Sequence, residues 1–296
     1  MRRRAGDRTM RRRRAFVAAA IAAACGLGSI AVAHSLPSAS GGTTGAIPAG
    51  KSPADDMAKD GLLAFTRTPR RPGNLLERVG VVGHSAEGRR IVLRQLGNPS
   101  IAGRVLVFGC IHGDECAGSG LVPTRGGCPD PHSNVFVVPN LNPDGAAIGT
   151  RLNGRGVDLN RNFASQWRTI GRRGDAQYSG PHPFSEPETR LAARIVEGLD
   201  PDVTIWLHQH RGERPLVRAW GGSAPAGRLL AHLAQIPFRR LPWPAGTAPN
   251  WQNHRFPGSS SYVVELPPGP LAPSLRSRLN DAIIKIARWQ ARVGED

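Results

Sequence analysis

The apolar run Val105-Leu106-Val107-Phe108-Gly109-Cys110-Ile111, followed at once by His112-Gly113-Asp114-Glu115, most constrains what this chain can fold into. A continuous apolar run reads as a strand buried on both faces, which requires helices on each side of a sheet. His112 and Glu115 then leave the strand from one tight turn, at the carboxyl end where open α/β sheets hold their ligands. A second run, Val203-Thr204-Ile205-Trp206-Leu207, closes on His208. Two imidazoles and one carboxylate delivered from two strand ends form a zinc donor set with a fourth position open to water. His210 lies on the same strand face by two-residue alternation. Spacing alone does not separate the two; His208 directly follows the apolar run and is the choice that the resemblance described below implies, which leaves His210 lining the pocket or serving structure.

Further apolar runs at Ile91-Val92-Leu93, Val135 to Val138 and Tyr262 to Leu266 predict additional buried strands. Ser185 with Glu188 three residues on spells a capping box, and Leu191, Ile195 and Leu199 then recur at helical spacing, predicting a helix over 186–198. Two more helices are expected over 224–235 and 273–292. Strands alternating with helices predict a single-domain α/β sandwich with a mainly parallel central sheet flanked by helices, and the resemblance described below implies that this sheet is mixed.

The N-terminus reads differently. Eight arginines in the first fourteen residues precede the alanine-rich stretch Ala15 to Ala33, which ends in Ala31-Val32-Ala33, an A-x-A cleavage pattern. Residues 1–33 are expected to be an export signal, and Arg13-Arg14-Ala15-Phe16-Val17 leaves both the Sec and the twin-arginine routes open. Residues 34–70 are rich in Ser, Gly and Pro without apolar period, the composition of a flexible tether. The catalytic domain is then expected over 71–296. Removing residues 1–33 takes away eight arginines and Asp7, so the formal charge falls from +17 to +10. Such a basic domain suits an anionic cell wall by steering. The arginines are dispersed, without the recognition helix or RNA-binding signature that nucleic acid would require, so nucleic acid is excluded as a partner. Nothing in the sequence points beyond a monomer. Of the exported cysteines, Cys116 and Cys128 flank a short apolar segment and a Gly-Gly turn and are expected to pair in an oxidising compartment, leaving Cys110 free inside the strand.

Asn142-Pro143-Asp144-Gly145, Arg151, Gly156-Val157-Asp158-Leu159-Asn160-Arg161-Asn162-Phe163 and Val263-Val264-Glu265-Leu266-Pro267 follow the His112 motif in order, with Gly83-His84-Ser85-Ala86-Glu87-Gly88-Arg89 ahead of it. Together they resemble the zinc metallocarboxypeptidase family over about residues 75 to 292. The resemblance implies one Zn2+ per chain on His112, Glu115 and His208, with Glu265 as the proton carrier and Arg151 facing the oxyanion. It further implies that Asn160 and Arg161 grip the substrate's terminal carboxylate and that Asp158 accepts the outer ring N–H of His112. Where digestive-type members carry a tyrosine some twenty residues before the glutamate, this chain has Leu241-Pro242-Trp243-Pro244 and no tyrosine through His254. The wording of the motifs is more similar to the bacterial murein peptide amidase branch, whose substrates contain a γ-D-glutamyl–diaminopimelate bond. An exported carboxypeptidase of ordinary peptides, an N-acyl amino acid deacylase and a non-catalytic wall-binding module are the alternatives.

Overall fold

The computed structural model describes residues 76–121, 123 and 129–293. The expected export signal and tether, and Cys128, lie outside the described residues. Eight strands form one sheet: β1 (Leu76–His84), β2 (Arg90–Gly97), β3 (Val105–Phe108), β4 (Asn134–Val138), β5 (Val203–Gln209), β6 (Leu216–Ala219), β7 (Phe238–Arg240) and β8 (Ser260–Leu266). Their order is β1-β2-β4-β3-β5-β8-β6-β7. The central four, β4-β3-β5-β8, run parallel, whereas β1 and β2 add antiparallel at one side and β6 joins β8 antiparallel at the other. The sheet is therefore mixed, with its parallel strands in the middle.

Helices cover both faces. Alternate residues of the central strands, Val105, Val107, Ile205, Leu207 and Val264, pack with Leu230 of α3 (Ala224–Ala234) and Leu279 and Ile283 of α5 (Pro273–Val293). The residues between them, Leu106, Phe108, Trp206 and Val263, pack with Leu191 and Ile195 of α2 (Pro187–Leu199) and Trp251 of α4 (Ala248–Arg255). Phe108 and Trp206 stack with ring centroids 4.1 Å apart, and Phe163 meets Trp206 edge-on at 5.9 Å. Fully burying one such ring stabilises the fold by roughly 1.5–3 kcal/mol. Among the described residues no helix is long and apolar enough to cross a membrane.

Two local expectations are corrected. The capping box does not form: α2 is capped at Glu186 without a side-chain hydrogen bond. Ser185 Oγ instead donates to Glu186 at 2.8 Å, and Glu188 turns away to accept from Ala86 N at 2.7 Å. The reason is tertiary, because Asn153 Nδ2 draws both Glu186 (2.8 Å) and Glu188 (3.1 Å) toward the loop carrying Arg151. Secondly, Cys116 is bonded to Cys110 rather than reserved for Cys128. The strand ends at Phe108, and Cys110, with φ at 49°, bends the chain back so that its Cα lies 4.5 Å from that of Cys116. A disulfide needs that proximity, and the turn around His112 supplies it.

Candidate metal centre and active site

The motifs read from the sequence hold one another in place. Asn142 caps the short helix α1 (Pro143–Ile148) by accepting from Gly145 N at 2.9 Å. Its Nδ2 donates to the carbonyls of Ile111, Arg151 and Leu152 at 3.2–3.3 Å, joining the strand that leads to His112 to the loop that carries Arg151. Gly113 is required where these parts meet, since a Cβ there would lie 2.1 Å from the carbonyl carbon of Gly145. Asp144 accepts from Ser85 Oγ at 2.6 Å and from Arg89 Nη1 at 2.8 Å, which ties in the first motif. Asn162, buried completely, donates to the carbonyls of Ser179 and His182 and accepts from Thr189 Oγ1, so it latches the loop and does not face substrate.

At the carboxyl ends of β3 and β5, three donor atoms converge. His112 Nδ1 is 3.0 Å from Glu115 Oε2, Glu115 Oε2 is 2.9 Å from His208 Nδ1, and the two Nδ1 atoms are 3.2 Å apart. These three residues are the one group of its kind among the described residues. Zinc bonds of about 2.0–2.1 Å at tetrahedral angles separate neighbouring ligand atoms by roughly 3.3 Å, so the donor set fits that ion. His210 is not part of it, because its Nε2 turns to Arg214 O at 2.9 Å.

Each donor is oriented from outside. His112 Nε2 lies 3.1 Å from Asp158 Oδ1, and the other oxygen of Asp158 accepts from Arg151 Nε and Nη2 at 3.0 and 2.9 Å. Arg151 Nη1 reaches Glu115 Oε1 at 3.0 Å, and Gln209 N holds Glu115 Oε2 at 3.1 Å. Asn160 sits between His208 Nε2, 3.3 Å from its Nδ2, and Ala248 N, which donates to its Oδ1 at 3.0 Å. Burial opposes charge on Asp158 and Glu115, but the His112 imidazole, aided by Arg151 at Asp158 and by His208 at Glu115, outweighs it and holds both carboxyls well below the usual range. Burial likewise disfavours the His112 imidazolium, yet Asp158 and Glu115 together leave its pKa raised.

Glu265 stands beside His208 as its direct cross-strand partner on β8. It shares with His112, Arg151 and Arg161 the wall of a cavity of about 220 Å³. That is below the roughly 300–1,000 Å³ of most small-molecule clefts, a size suited to one amino-acid residue. Arg161 donates to Asn160 O at 2.8 Å, and burial, with Arg151 and Arg218 nearby, depresses its pKa despite Asp158. It is a guanidinium short of counter-charge. The residues expected to hold metal, to act on water and to bind the carboxylate are thus brought together, whereas Cys128 lies outside the described residues. Missed by sequence reasoning were Gln209, whose side chain also accepts from Ala117 N at 2.9 Å, and the pocket residues Arg218 and Trp243. Arg218 was detectable: it alternates with buried Val217 and Ala219, a charge on the half-covered face of a strand.

Comparison with known proteins agrees with this architecture. Residues 132–238 match the zinc carboxypeptidase model, peptidase M14. Murein peptide amidase A of Escherichia coli K12 is 33% identical over 122 residues, 35% of this chain and 48% of that protein. Carboxypeptidase B of Astacus astacus is 29% identical over 170 residues, 47% of this chain and 56% of that one. The chain therefore spans about half the length of these relatives. Carboxypeptidase A from Helicoverpa armigera shares the fold with a TM-score of 0.60 at 19% identity, covering 79% of this chain and 72% of that one. The murein-tripeptide amidase structure from Escherichia coli O157 does so with a TM-score of 0.54 at 22% identity, covering 76% and 98%. The chain thus matches the zinc carboxypeptidase model over residues 132–238 and has the metallocarboxypeptidase fold.

Proposed function

We propose that this chain is an exported zinc-dependent amidase that removes the C-terminal residue of murein peptides at a γ-D-glutamyl–diaminopimelate bond. The observation that carries the reading is the convergence of His112, Glu115 and His208 in the cavity that also holds Glu265 and Arg161. Export rests on the arginine-rich start and its small-residue exit, and the wall substrate rests on the similarity to murein peptide amidase A.

In this reading His112, Glu115 and His208 hold one zinc ion, a Lewis acid that acidifies water and polarises a carbonyl. Arg161, with Asn160 beside it, receives the terminal carboxylate, which adds counter-charge to its half-buried guanidinium and whose two oxygens match its fork. Glu265 takes the proton of the attacking water and returns it to the leaving amine. Arg151 spends three donors on Asp158 and Glu115, and its terminal nitrogens each keep a second N–H for the oxygen that gains charge. Asp158 holds the His112 ring so that Nδ1 faces inward.

The test is product mass spectrometry after the zinc-loaded chain meets L-Ala-γ-D-Glu-diaminopimelate beside a panel of ordinary C-terminal peptides. Free diaminopimelate, lost on chelation, is the expected product. Cleavage confined to ordinary peptides would replace the reading with an exported carboxypeptidase, and silence on both would restore the deacylase and wall-binding alternatives. Glu265→Gln should keep zinc and lose turnover; near-normal turnover removes Glu265 from the reaction.

A further inference from the structure

The pocket contains one more cation than the reaction described above uses. Arg151 is neutralised by Asp158 and Glu115, and Arg161 is assigned to the terminal carboxylate. Arg218 on β6 has only one long ion pair, to Glu265. Its Nη1 stands 3.7 Å from Glu265 Oε1, beyond hydrogen-bond length, and its Nη2 reaches Pro242 O only at 3.4 Å. Its Nε, buried, has no hydrogen-bond partner among the described residues. The guanidinium lies over the Trp243 ring, 5.9 Å from the centroid, and its charge is felt at Arg161, whose protonated form it disfavours. Two guanidiniums that repel each other across one cavity, with a single partly buried carboxylate between them and the metal ligands, leave a field that a substrate with one negative charge does not balance.

We propose that Arg218 is a specificity residue that reads a second carboxylate, carried on the side chain of the leaving residue. This rests on the proposed reaction for the placement of the first carboxylate at Arg161. The leaving residue then spans the cavity with its α-carboxylate on Arg161, its aliphatic chain along Trp243 and its distal carboxylate on Arg218. Diaminopimelate has this pattern of charges, and so does 2-aminopimelate, which lacks the distal amine. Lysine and norleucine do not. Arg218 also lies nearest Glu265 among these arginines, so a role in tuning that glutamate is the rival to be separated.

The experiment compares kcat/KM of the zinc-loaded full chain on four leaving residues, diaminopimelate, 2-aminopimelate, norleucine and lysine, each in a γ-D-glutamyl series and in an α-linked N-benzoylglycyl series. Calorimetric binding of free 2-aminopimelate and norleucine to the same protein runs in parallel. The expected result is a preference for 2-aminopimelate over norleucine of at least about tenfold, the worth of one charge-assisted contact. It should collapse in Arg218→Met, persist in part in Arg218→Lys, and turn toward lysine in Arg218→Glu. Each preference is a ratio within one protein, so a poorly folded variant does not distort it. A wild type without the preference, or an Arg218→Met that slows both substrates equally, overturns the assignment and leaves Arg218 as a partner of Glu265. Cleavage restricted to the α-linked series would sink the murein reading while leaving the Arg218 ratio measurable. If neither series is cleaved, the binding ratio decides alone.

Discussion

Asp158→Asn isolates what a single buried carboxylate does for the metal centre. The side chain is fully buried and makes four hydrogen bonds: Oδ1 to the His112 ring and Asn160 N, Oδ2 to Nε and Nη2 of Arg151. An asparagine amide has the same shape but one oxygen. With that oxygen toward Arg151, the amide N–H groups oppose His112 Nε2 and leave Asn160 N uncapped. With it toward His112, two guanidinium N–H groups face another donor. Either way about two charge-assisted bonds are lost, each worth roughly 1.5–3 kcal/mol, which matches the roughly 3–5 kcal/mol for breaking a buried ion pair by removing one partner. Zinc affinity should fall separately, by about 10–100-fold, because the His112 ring loses its acceptor. Guanidinium unfolding in the presence of a chelator measures the first effect, and competition against a chromophoric chelator measures the second. Glu197→Gln, on the exposed face of α2, is the control. If Asp158→Asn unfolds within about 1 kcal/mol of wild type and binds zinc within about threefold, the carboxylate does not act as described.

The remaining predictions probe other parts of the support. Glu188 is buried and its carboxyl is pushed up to about 7, mainly by desolvation; a raised folded pKa gives stability that is whole below pH 4.5 and lost as pH rises through 7. The loss approaches about 3 kcal/mol at most, so guanidinium midpoints should fall between pH 5 and pH 8 in wild type and stay flatter in Glu188→Gln, and parallel profiles would contradict the assignment. The Cys110–Cys116 bond closes a loop of sequence separation 6 around His112 and Glu115; the chain-entropy relation gives it about 2 kcal/mol, so reductant or Cys116→Ser should lower the melting temperature by roughly 4–8 °C. A melting temperature indifferent to reductant would show that the loop is held without the bond. Gly113→Ala places a methyl 2.1 Å from the Gly145 carbonyl carbon, and it should abolish tight zinc binding even where far-UV circular dichroism shows a folded sheet.

Much of this was legible in the chain because the central strands are continuous apolar runs and the donors follow them directly. The choice of His208 over His210 needed the family resemblance beside the position after the apolar run, and the structure turns His210 to Arg214 O. What escaped was determined by partners distant in sequence. α4 reads Ala-Pro-Asn-Trp-Gln-Asn-His-Arg, without an apolar stripe, and is placed by Trp251 among Phe163, Phe184 and Phe256, by Gln252 on Thr204 and by Asn253 on Ser261. The last two strands of the sheet, β6 and β7, are too short and too charged to stand out. The cysteine pairing failed for a related reason: spacing suggested a bridge over a Gly-Gly turn, whereas the left-handed backbone at Cys110, invisible in composition, brings a nearer partner into range.

The ladder between β5 and β8 sets His208 opposite Glu265 by main-chain hydrogen bonds alone. Everything from residue 210 to residue 259 is an excursion that leaves one of these strands and returns to the other, and that excursion carries Arg218, Trp243 and Thr247 into the cavity wall. The spacing of His208 and Glu265 is therefore insulated from the sequence between them. A lineage can rewrite the side of this pocket that carries Arg218 and Trp243 by exchanging a single contiguous segment, and the distance between the histidine and the glutamate stays the property of two strands that the exchange never touches.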